Sequence, residues 1–425
     1  MRLVNRKAKT MPDFVANAVA AREEMRTLFT ETPLQKNEHL SQIYNADIYL
    51  KREDLSPVRS YKIRGAFNAM RKHLVQAPKN PLFVCASAGN HAQGVAFVCR
   101  HFNVNGVIFM PITTPQQKVN KTRIFGGANI EIELVGDYFE DTLAAAKEYC
   151  AQQGAVFLSP FDNDDVIEGQ ATVAVEMIEQ SDSPVDMVIL PVGGGGLASG
   201  VVSYFKSVSP DTEFRFAEPF GGQSLAAAVS SGKPVTLDHV DSFVDGAAVA
   251  RIGDRNFQAL KNVKPTHVLA APEDRICITI IELLNIEGIV LEPAGAMSVD
   301  ILKDIKDQIK GKRVVCVTSG GNFDFERLPE VKERALKYSG LKKYFILRFP
   351  QRPGALKDFL NILGPDDDIT RFEYLKKSAR NFGTVLIGIQ AKDAADFPSI
   401  CARMELAGMT YQDITENEDL SQFLI

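Results

Sequence analysis

A lysine that directly follows an aromatic residue is the side chain of this 425-residue sequence most suited to covalent chemistry. Lys62 lies in segment 60–65, Ser-Tyr-Lys-Ile-Arg-Gly, and the apolar residues after it predict a helix that Ser60 caps. The helix dipole and the Tyr61 ring both disfavour a charged amine, so the sequence predicts a lowered pKa for Lys62. A neutral lysine amine is the form that attacks carbonyl groups. The alternative is a first-turn lysine that faces solvent.

A run of glycines follows an apolar strand and precedes a helical pattern: Gly193, Gly194, Gly195 and Gly196, with Leu197 next. Their backbone N–H groups and the helix N-terminus predict a phosphate-binding loop that needs no lysine or arginine. A second interpretation is a dinucleotide-binding fingerprint, because residues 193–198 fit G-x-G-x-x-A and Glu218 ends a strand about twenty residues later. A purely structural turn is the third, and the conformational entropy of each glycine argues against it.

A second loop of small residues also joins a strand to a helix, and it contains Ser87, Ala88, Gly89, Asn90 and His91. Its exposed N–H groups and the Ser87 hydroxyl are suited to a ligand carboxylate. The Asn90 amide offers a donor and an acceptor, which suits a ring hydroxyl. The alternative is an asparagine N-cap with no ligand. We interpret His91 as a helix-start residue and not as a catalytic base.

A third loop follows the last strong strand pattern, with Ser319 in the sequence Thr-Ser-Gly-Gly-Asn over residues 318–322. A serine hydroxyl there can hydrogen-bond a heteroaromatic nitrogen without protonating it. The alternative is an ordinary turn.

Short apolar runs alternate with helical patterns from about residue 45 to residue 320, which predicts an α/β fold of mainly parallel strands with helices on both sheet faces. In such folds ligands bind at the loops beyond the carboxyl ends of the strands. The seven predicted strands lie at residues 48–50, 82–85, 106–110, 130–134, 187–192, 214–216 and 314–317.

The C-terminal part has a different pattern. A charged helix over residues 329–339 precedes the order β-α-β-β-α-β, which predicts a separate ferredoxin-like domain of about 85 residues. A single domain of this kind fits the length.

Composition excludes several classes of function. The net charge of −5 and the absence of a basic block argue against a nucleic-acid partner. The six cysteines are scattered without metal-site spacing, so we expect reduced thiols in a cytoplasmic protein. Residues 1–6 lack the apolar core of a signal peptide, and no apolar run is long enough to span a membrane.

The loops around Lys62, Asn90, Gly193 and Ser319 together resemble the fold-type II pyridoxal-phosphate enzymes, whose tryptophan synthase β-like fold has two open α/β subdomains. Within that class the sequence from about residue 32 to 322 resembles the threonine dehydratase (threonine ammonia-lyase) family. The matching segments also include residues 51–54, 160–162 and 292–296. Ala171 departs from the family pattern, which has a glycine there, and is expected to stiffen a loop near the active-site mouth.

The resemblance implies pyridoxal 5'-phosphate as cofactor, covalently attached to Lys62, with no metal in the site. Lys62 would also remove the Cα proton, and the residues from Gly193 to Leu197 would hold the phosphate. Asn90 would contact the cofactor's 3′-oxygen, Ser319 its ring nitrogen, and the loop from Ser87 to His91 the substrate carboxylate. The implied reaction is α,β-elimination of L-threonine to 2-oxobutanoate and ammonia, the first step of isoleucine biosynthesis, with L-serine as a second substrate.

The C-terminal sequence resembles the ACT-like regulatory domain of biosynthetic threonine dehydratases. The implied organisation is a catalytic domain over residues 1–327, with a smaller subdomain at roughly 57–160, a connecting helix over 328–340 and a regulatory domain over 341–425. Such domains bind a branched-chain effector, isoleucine, and a backbone-lined site near Gly354 would suit it. The alternative is a domain that only stabilises an oligomer, and relatives are commonly homotetramers.

Two other functions stay open at this stage. A serine dehydratase or serine racemase would use the same Lys62. A nucleotide- or amino-acid-binding regulator with the same α/β core would perform no chemistry.

Overall fold

The computed structural model describes residues 11–76, 80–375, 381–417 and 420. Segment 1–6, on which the signal-peptide expectation depends, lies outside the described residues. The chain forms two compact units. Unit 1 comprises Met1–Glu273 and Leu283–Phe323, and unit 2 comprises Asp274–Glu282 and Asp324–Ile425.

Unit 1 contains two sheets whose strands are nearly all parallel. The larger has the order β1-β2-β10-β7-β8-β9 with only β1 antiparallel, and the smaller has the order β5-β4-β3-β6. The strands are β1 Leu34–Lys36, β2 Asp47–Arg52, β3 Phe83–Ala86, β4 Gly106–Met110, β5 Ile130–Leu134, β6 Val156–Phe157, β7 Met187–Pro191, β8 Glu213–Pro219, β9 Val268–Ala271 and β10 Arg313–Thr318.

Helices cover both faces of these sheets, as the alternating pattern predicts. On the larger sheet α7 and α8 pack on one face, while α12 contacts β7, β8 and β10. The helices up to the end of unit 1 are α1 Met11–Met25, α2 Glu38–Tyr44, α3 Lys62–Gln76, α4 Asn90–Phe102, α5 Gln116–Gly126, α6 Phe139–Gln153, α7 Asp164–Gln180, α8 Gly196–Val208, α9 Ser224–Ser231, α10 Asp254–Leu260, α11 Glu273–Glu287, α12 Pro293–Asp300 and α13 Leu302–Ile305.

Unit 2 contains the predicted β-α-β-β-α-β order. Its antiparallel sheet has the order β12-β13-β11-β14, with the first strand central, as in ferredoxin-like domains. Phe345, Val385 and Ile387 contribute to its core. The elements are α14 Leu328–Tyr338, β11 Lys342–Pro350, α15 Ala355–Leu360, β12 Asp368–Leu375, β13 Phe382–Gln390, α16 Phe397–Leu406 and β14 Thr410–Asp413.

The fold class is therefore confirmed, but two local predictions are wrong. Ser60 does not cap α3: its backbone pairs with Gly320 in an isolated bridge, and no partner for its buried hydroxyl lies in the described residues. Ala171 does not stiffen a loop, because it is fully buried within helix α7. At that depth the alanine methyl contributes to the core between α7 and α8.

A buried cluster of charges joins β2, α3 and α7. The Arg64 guanidinium donates to Glu53 Oε2 at 2.7 Å and to Glu176 Oε2 at 2.7 Å, and Lys51 Nζ lies 2.7 Å from the same Glu176 oxygen. All four side chains are fully buried. Burial raises the pKa of Glu176, but the charges of Arg64 and Lys51 outweigh it and hold that pKa below its usual range. The cluster thereby fixes the start of α3 against α7.

The described residues contain no helix that is both long and apolar enough to cross a membrane.

Glu176→Gln should destabilise the protein because it leaves two buried cations with one carboxylate. We expect the unfolding free energy of unit 1 to fall by about 3–5 kcal/mol, as for other broken buried pairs. Urea unfolding followed by circular dichroism measures it. The matched control is Asp307→Asn, which weakens the exposed Lys310–Asp307 pair and should leave the free energy of unfolding nearly unchanged. Equal stability of the two variants would contradict the structural importance of the cluster.

Candidate active site

Lys62 is the first residue of α3, and its amine lies between two aromatic rings. Nζ donates to the Pro160 carbonyl at 3.0 Å and lies 5.3 Å from the Tyr61 ring centroid and 6.0 Å from that of Phe161. Burial lowers the pKa of Lys62 to about 8, although the Glu292 charge opposes the shift. The sequence predicted the direction of this shift correctly, but its main cause is burial.

The glycine loop also packs against the Phe161 ring. A Cβ on Gly194 would collide with that ring, and Gly195 has a φ of +87° at the N-cap of α8. Asn256 Nδ2 donates to the Gly194 carbonyl at 2.7 Å, so this carbonyl oxygen points into the protein interior. Among the described residues, no protein acceptor is hydrogen-bonded to the N–H groups of residues 193–197. A run of free N–H groups at the N-terminus of a 13-residue helix fits a phosphate.

The loop from Ser87 to His91 begins α4 beside Lys62. Ser87 Oγ accepts from the Gly89 N–H at 3.2 Å, and a Cβ at Gly89 would meet nothing within 4 Å, so this loop is open to a ligand. The His91 ring does not face that opening, because its Nε2 is 3.0 Å from the Leu158 carbonyl. Burial and the Lys62 charge lower the pKa of His91 to about 3, so the ring is neutral and Nε2–H donates.

Ser319 connects the third loop to the lysine. Its carbonyl accepts from the Tyr61 N–H at 3.1 Å, next to Lys62 in the chain. Its hydroxyl is buried, and its one hydrogen bond within the described part of the chain is a long contact, 3.3 Å, to the Ala294 carbonyl. A hydroxyl has one hydrogen, so donation to a ring nitrogen would replace this weak bond.

Glu292, Asn322 and Lys121 complete the site, and none of them was among the site residues predicted from the sequence. Asn90 Nδ2 donates to Glu292 Oε1 at 2.7 Å, and Asn322 Nδ2 donates to Asn90 Oδ1 at 2.6 Å. Burial, with help from Asp245, raises the pKa of Glu292 to about 7. In the sequence, Glu292 and Asn90 are 202 positions apart and Lys121 and Asn322 are 201 positions apart, although each pair is hydrogen-bonded. A usable signal was present, since Glu292 and Asn322 lie in the segments that carried the family resemblance.

The dinucleotide interpretation fails at Glu218. Its carboxylate accepts from the N–H groups of Leu225 at 2.6 Å and Ala226 at 2.9 Å, so it caps α9 and is not available to a ribose.

Comparison with known proteins identifies the class of enzyme. Residues 25–320 match the family model "Pyridoxal-phosphate dependent enzyme", and residues 333–424 match "C-terminal regulatory domain of Threonine dehydratase". The chain is 48% identical to the L-threonine dehydratase biosynthetic IlvA of Bacillus subtilis, covering 97% of each chain. It is 49% identical to that of Staphylococcus aureus strain RF122, over 94% of this chain and 96% of the relative.

The chain belongs to the biosynthetic threonine dehydratase family. A solved structure agrees: the processed form of threonine deaminase isoform 2 from Solanum lycopersicum superposes with a TM-score of 0.72 at 32% identity, covering 79% of this chain and 92% of that one. Pyridoxal phosphate is the cofactor of this family. The free N–H groups of the glycine loop and the nearby Lys62 amine fit its phosphate and its aldehyde.

The pH dependence of cofactor capture should reveal the lowered pKa of Lys62. We expect the rate at which the cofactor-free protein gains visible absorbance with pyridoxal phosphate to rise with pH and reach half its maximum near pH 8, because only the neutral amine reacts. An Nα-acetyl-lysine control under the same conditions should have its midpoint near 10.4. A protein midpoint that coincides with the control would refute the shift.

Proposed function

We propose that this chain deaminates L-threonine by α,β-elimination to give 2-oxobutanoate and ammonia. The observation that carries the proposal is the lysine with a pKa of about 8 at the point where the glycine loop, the Ser87–His91 loop and Ser319 meet. The names of the nearly full-length relatives support the same substrate. We further propose L-serine as a second substrate, because it carries the same β-hydroxyl leaving group.

Each motif has a proposed role. Lys62 attaches the cofactor and then takes the Cα proton, and the residues from Gly193 to Leu197 hold the phosphate. Asn90 donates to the cofactor's 3′-oxygen, and the N–H groups from Ser87 to His91 orient the substrate carboxylate. When bound, pyridoxal phosphate supplies a sink for the electron pair released as the Cα–H bond breaks.

The surroundings of Lys62 suit a base. A base is most effective when its pKa lies near the working pH, and a value of about 8 meets this condition. The Pro160 carbonyl, 3.0 Å from Nζ, holds the amine in place without adding a charge. Ser319 is a neutral donor, so it would leave the ring nitrogen of the cofactor unprotonated. An unprotonated cofactor ring is a weaker electron sink, which favours prompt loss of the β-hydroxyl over transamination.

We propose that unit 2 includes a regulatory domain that binds isoleucine and inhibits threonine deamination, so that the enzyme controls the first step of isoleucine biosynthesis. The family match over residues 333–424 supports a regulatory role. Gly354, with a φ of +87° at the start of α15, supplies exposed backbone that suits an amino-acid ligand. The proposed boundaries are 1–327 for the catalytic domain with a subdomain at roughly 57–160, 328–340 for the connecting helix and 341–425 for the regulatory domain. A homotetramer is the proposed assembly.

Lys62→Ala should abolish keto-acid formation from L-threonine and remove the visible absorbance of the bound cofactor. The expected loss of kcat is at least about a thousandfold, because both attachment and proton removal need the amine. Lys147→Ala, at an exposed lysine, is the control and should retain wild-type activity. A wild-type protein that binds the cofactor but leaves threonine unchanged would refute the function. Parallel assays with L-serine, including a search for D-serine, distinguish a dehydratase from a racemase.

Isoleucine should lower the rate of threonine deamination by the full-length protein, whereas equal valine should not reproduce full inhibition. Initial rates and equilibrium dialysis with labelled isoleucine measure the effect and the binding. Gly354→Val should weaken the response, because a β-branched residue cannot easily adopt a φ of +87°. Rates insensitive to isoleucine, with no binding, would leave only a structural role for the domain.

A further inference from the structure

A line of hydrogen bonds runs from a half-buried lysine to the buried carboxylate of the site. Lys121 Nζ, on α5, donates to Asn322 Oδ1. Asn322 Nδ2 donates to Asn90 Oδ1 at 2.6 Å and to the Val58 carbonyl at 2.8 Å. Asn90 Nδ2 then donates to Glu292 Oε1 at 2.7 Å. We call Lys121, Asn322, Asn90 and Glu292 the amide relay.

The chemistry of its ends gives the relay a single direction. An ammonium group only donates and a backbone carbonyl only accepts, so Lys121 and Val58 together require Asn322 to present its oxygen to the lysine and its nitrogen to the carbonyl. The remaining N–H of Asn322 must therefore meet the oxygen of Asn90. This leaves the Asn90 nitrogen for Glu292 and gives the Asn90 amide one orientation.

The fixed orientation determines what Asn90 can offer a ligand. Its oxygen is occupied by Asn322 and one of its N–H bonds by Glu292, so it retains one N–H without an acceptor among the described residues. The amide nitrogen therefore offers a ligand one N–H donor, while the oxygen faces Asn322. Without the lysine, only the Val58 carbonyl would hold the Asn322 amide in this orientation, and the constraint on Asn90 would weaken.

Glu292 is the last residue of the amide relay, and its pKa depends on the hydrogen bond and the charge that the relay supplies. Its Oε1 would lie 3.5 Å from a Cβ at Gly246, and it is almost fully buried. Burial and the Asp245 charge raise its pKa, and the Asn90 hydrogen bond with the Lys118 and Lys121 charges offsets part of that rise. The titratable groups that act on Glu292 are Tyr61, Lys62, Lys118, Lys121 and Asp245.

We propose that Lys121 is a positioning residue, which acts through Asn322 to fix the Asn90 amide with one N–H towards Glu292 and the other towards the cofactor. The proposal rests on the role given above to Asn90 at the cofactor, and not on the identity of the substrate. Lys118 offers a natural comparison, since it lies on the same helix and also acts on Glu292, yet it pairs with Asp245 at 2.6 Å.

The test compares Lys121→Met, Lys121→Arg and Lys118→Met in the cofactor-loaded protein without substrate. Lys121→Met should weaken pyridoxal phosphate binding on the order of tenfold, as for loss of one charge-assisted hydrogen bond, and shift the pH titration of the bound cofactor's visible absorbance. Lys121→Arg should restore both, because it also donates. Lys118→Met should leave the affinity within about twofold of wild type, because it removes a charge but no bond of the relay.

Asn322→Asp gives an independent variant if Lys121→Met does not fold. It keeps the acceptor for Lys121 but cannot donate to Asn90, so the same loss of affinity and the same spectral shift are expected. Wild-type affinity and spectrum in Lys121→Met or Asn322→Asp would overturn the proposal. Equal effects of Lys118→Met and Lys121→Met would also overturn it, because charge alone would then suffice. Neither readout involves threonine, so failure of the proposed reaction would be seen separately.

Discussion

The pairing of Arg64 with two buried carboxylates is the interaction on which the site depends. An arginine cannot lose its charge inside a protein, so its burial at the start of α3 requires partners. Glu53, directly after β2, and Glu176, on α7, supply them. These bonds fix α3 against the elements around it. Lys62, two residues earlier, is positioned by the same contacts, yet no carboxylate among the described residues lies within ion-pair distance of its amine. One turn of helix thus contains a cation that stays charged and an amine that readily becomes neutral.

The same contrast between paired and isolated charge extends across the site. Glu292 is buried like Glu176, but it receives an amide hydrogen bond in place of two cations, so its pKa rises while that of Glu176 falls. The His91 ring is neutral for the related reason that burial and Lys62 both oppose its charge. Near neutral pH the lysine therefore has no charged imidazole beside it, and its neighbouring carboxylate is only partly ionised. Such surroundings favour a neutral, nucleophilic amine.

Local patterns predicted the sheet and the loops well, because parallel strands buried on both faces are continuous apolar runs. The predicted strand at 106–110 is such a run and has the observed bounds of β4. The predicted strand at 130–134 alternates apolar and acidic residues at the sheet edge and has the observed bounds of β5. The strands β1, β6 and β9 were missed, since two to four residues are too few to show a period. Ser60 and Ala171 were misassigned because tertiary pairing and packing decide their environments. The Glu292–Asn90 contact joins residues 202 positions apart, and only the fold brings them together.

The covalent role of Lys62 can be measured directly. Reduction of the cofactor-loaded protein with borohydride converts a lysine-bound cofactor to a stable phosphopyridoxyl group, and peptide mass spectrometry identifies the modified residue. We predict a single labelled peptide that carries the group on Lys62. A label on Lys121 or on any other lysine, or a cofactor that leaves the protein unlabelled, would contradict the account.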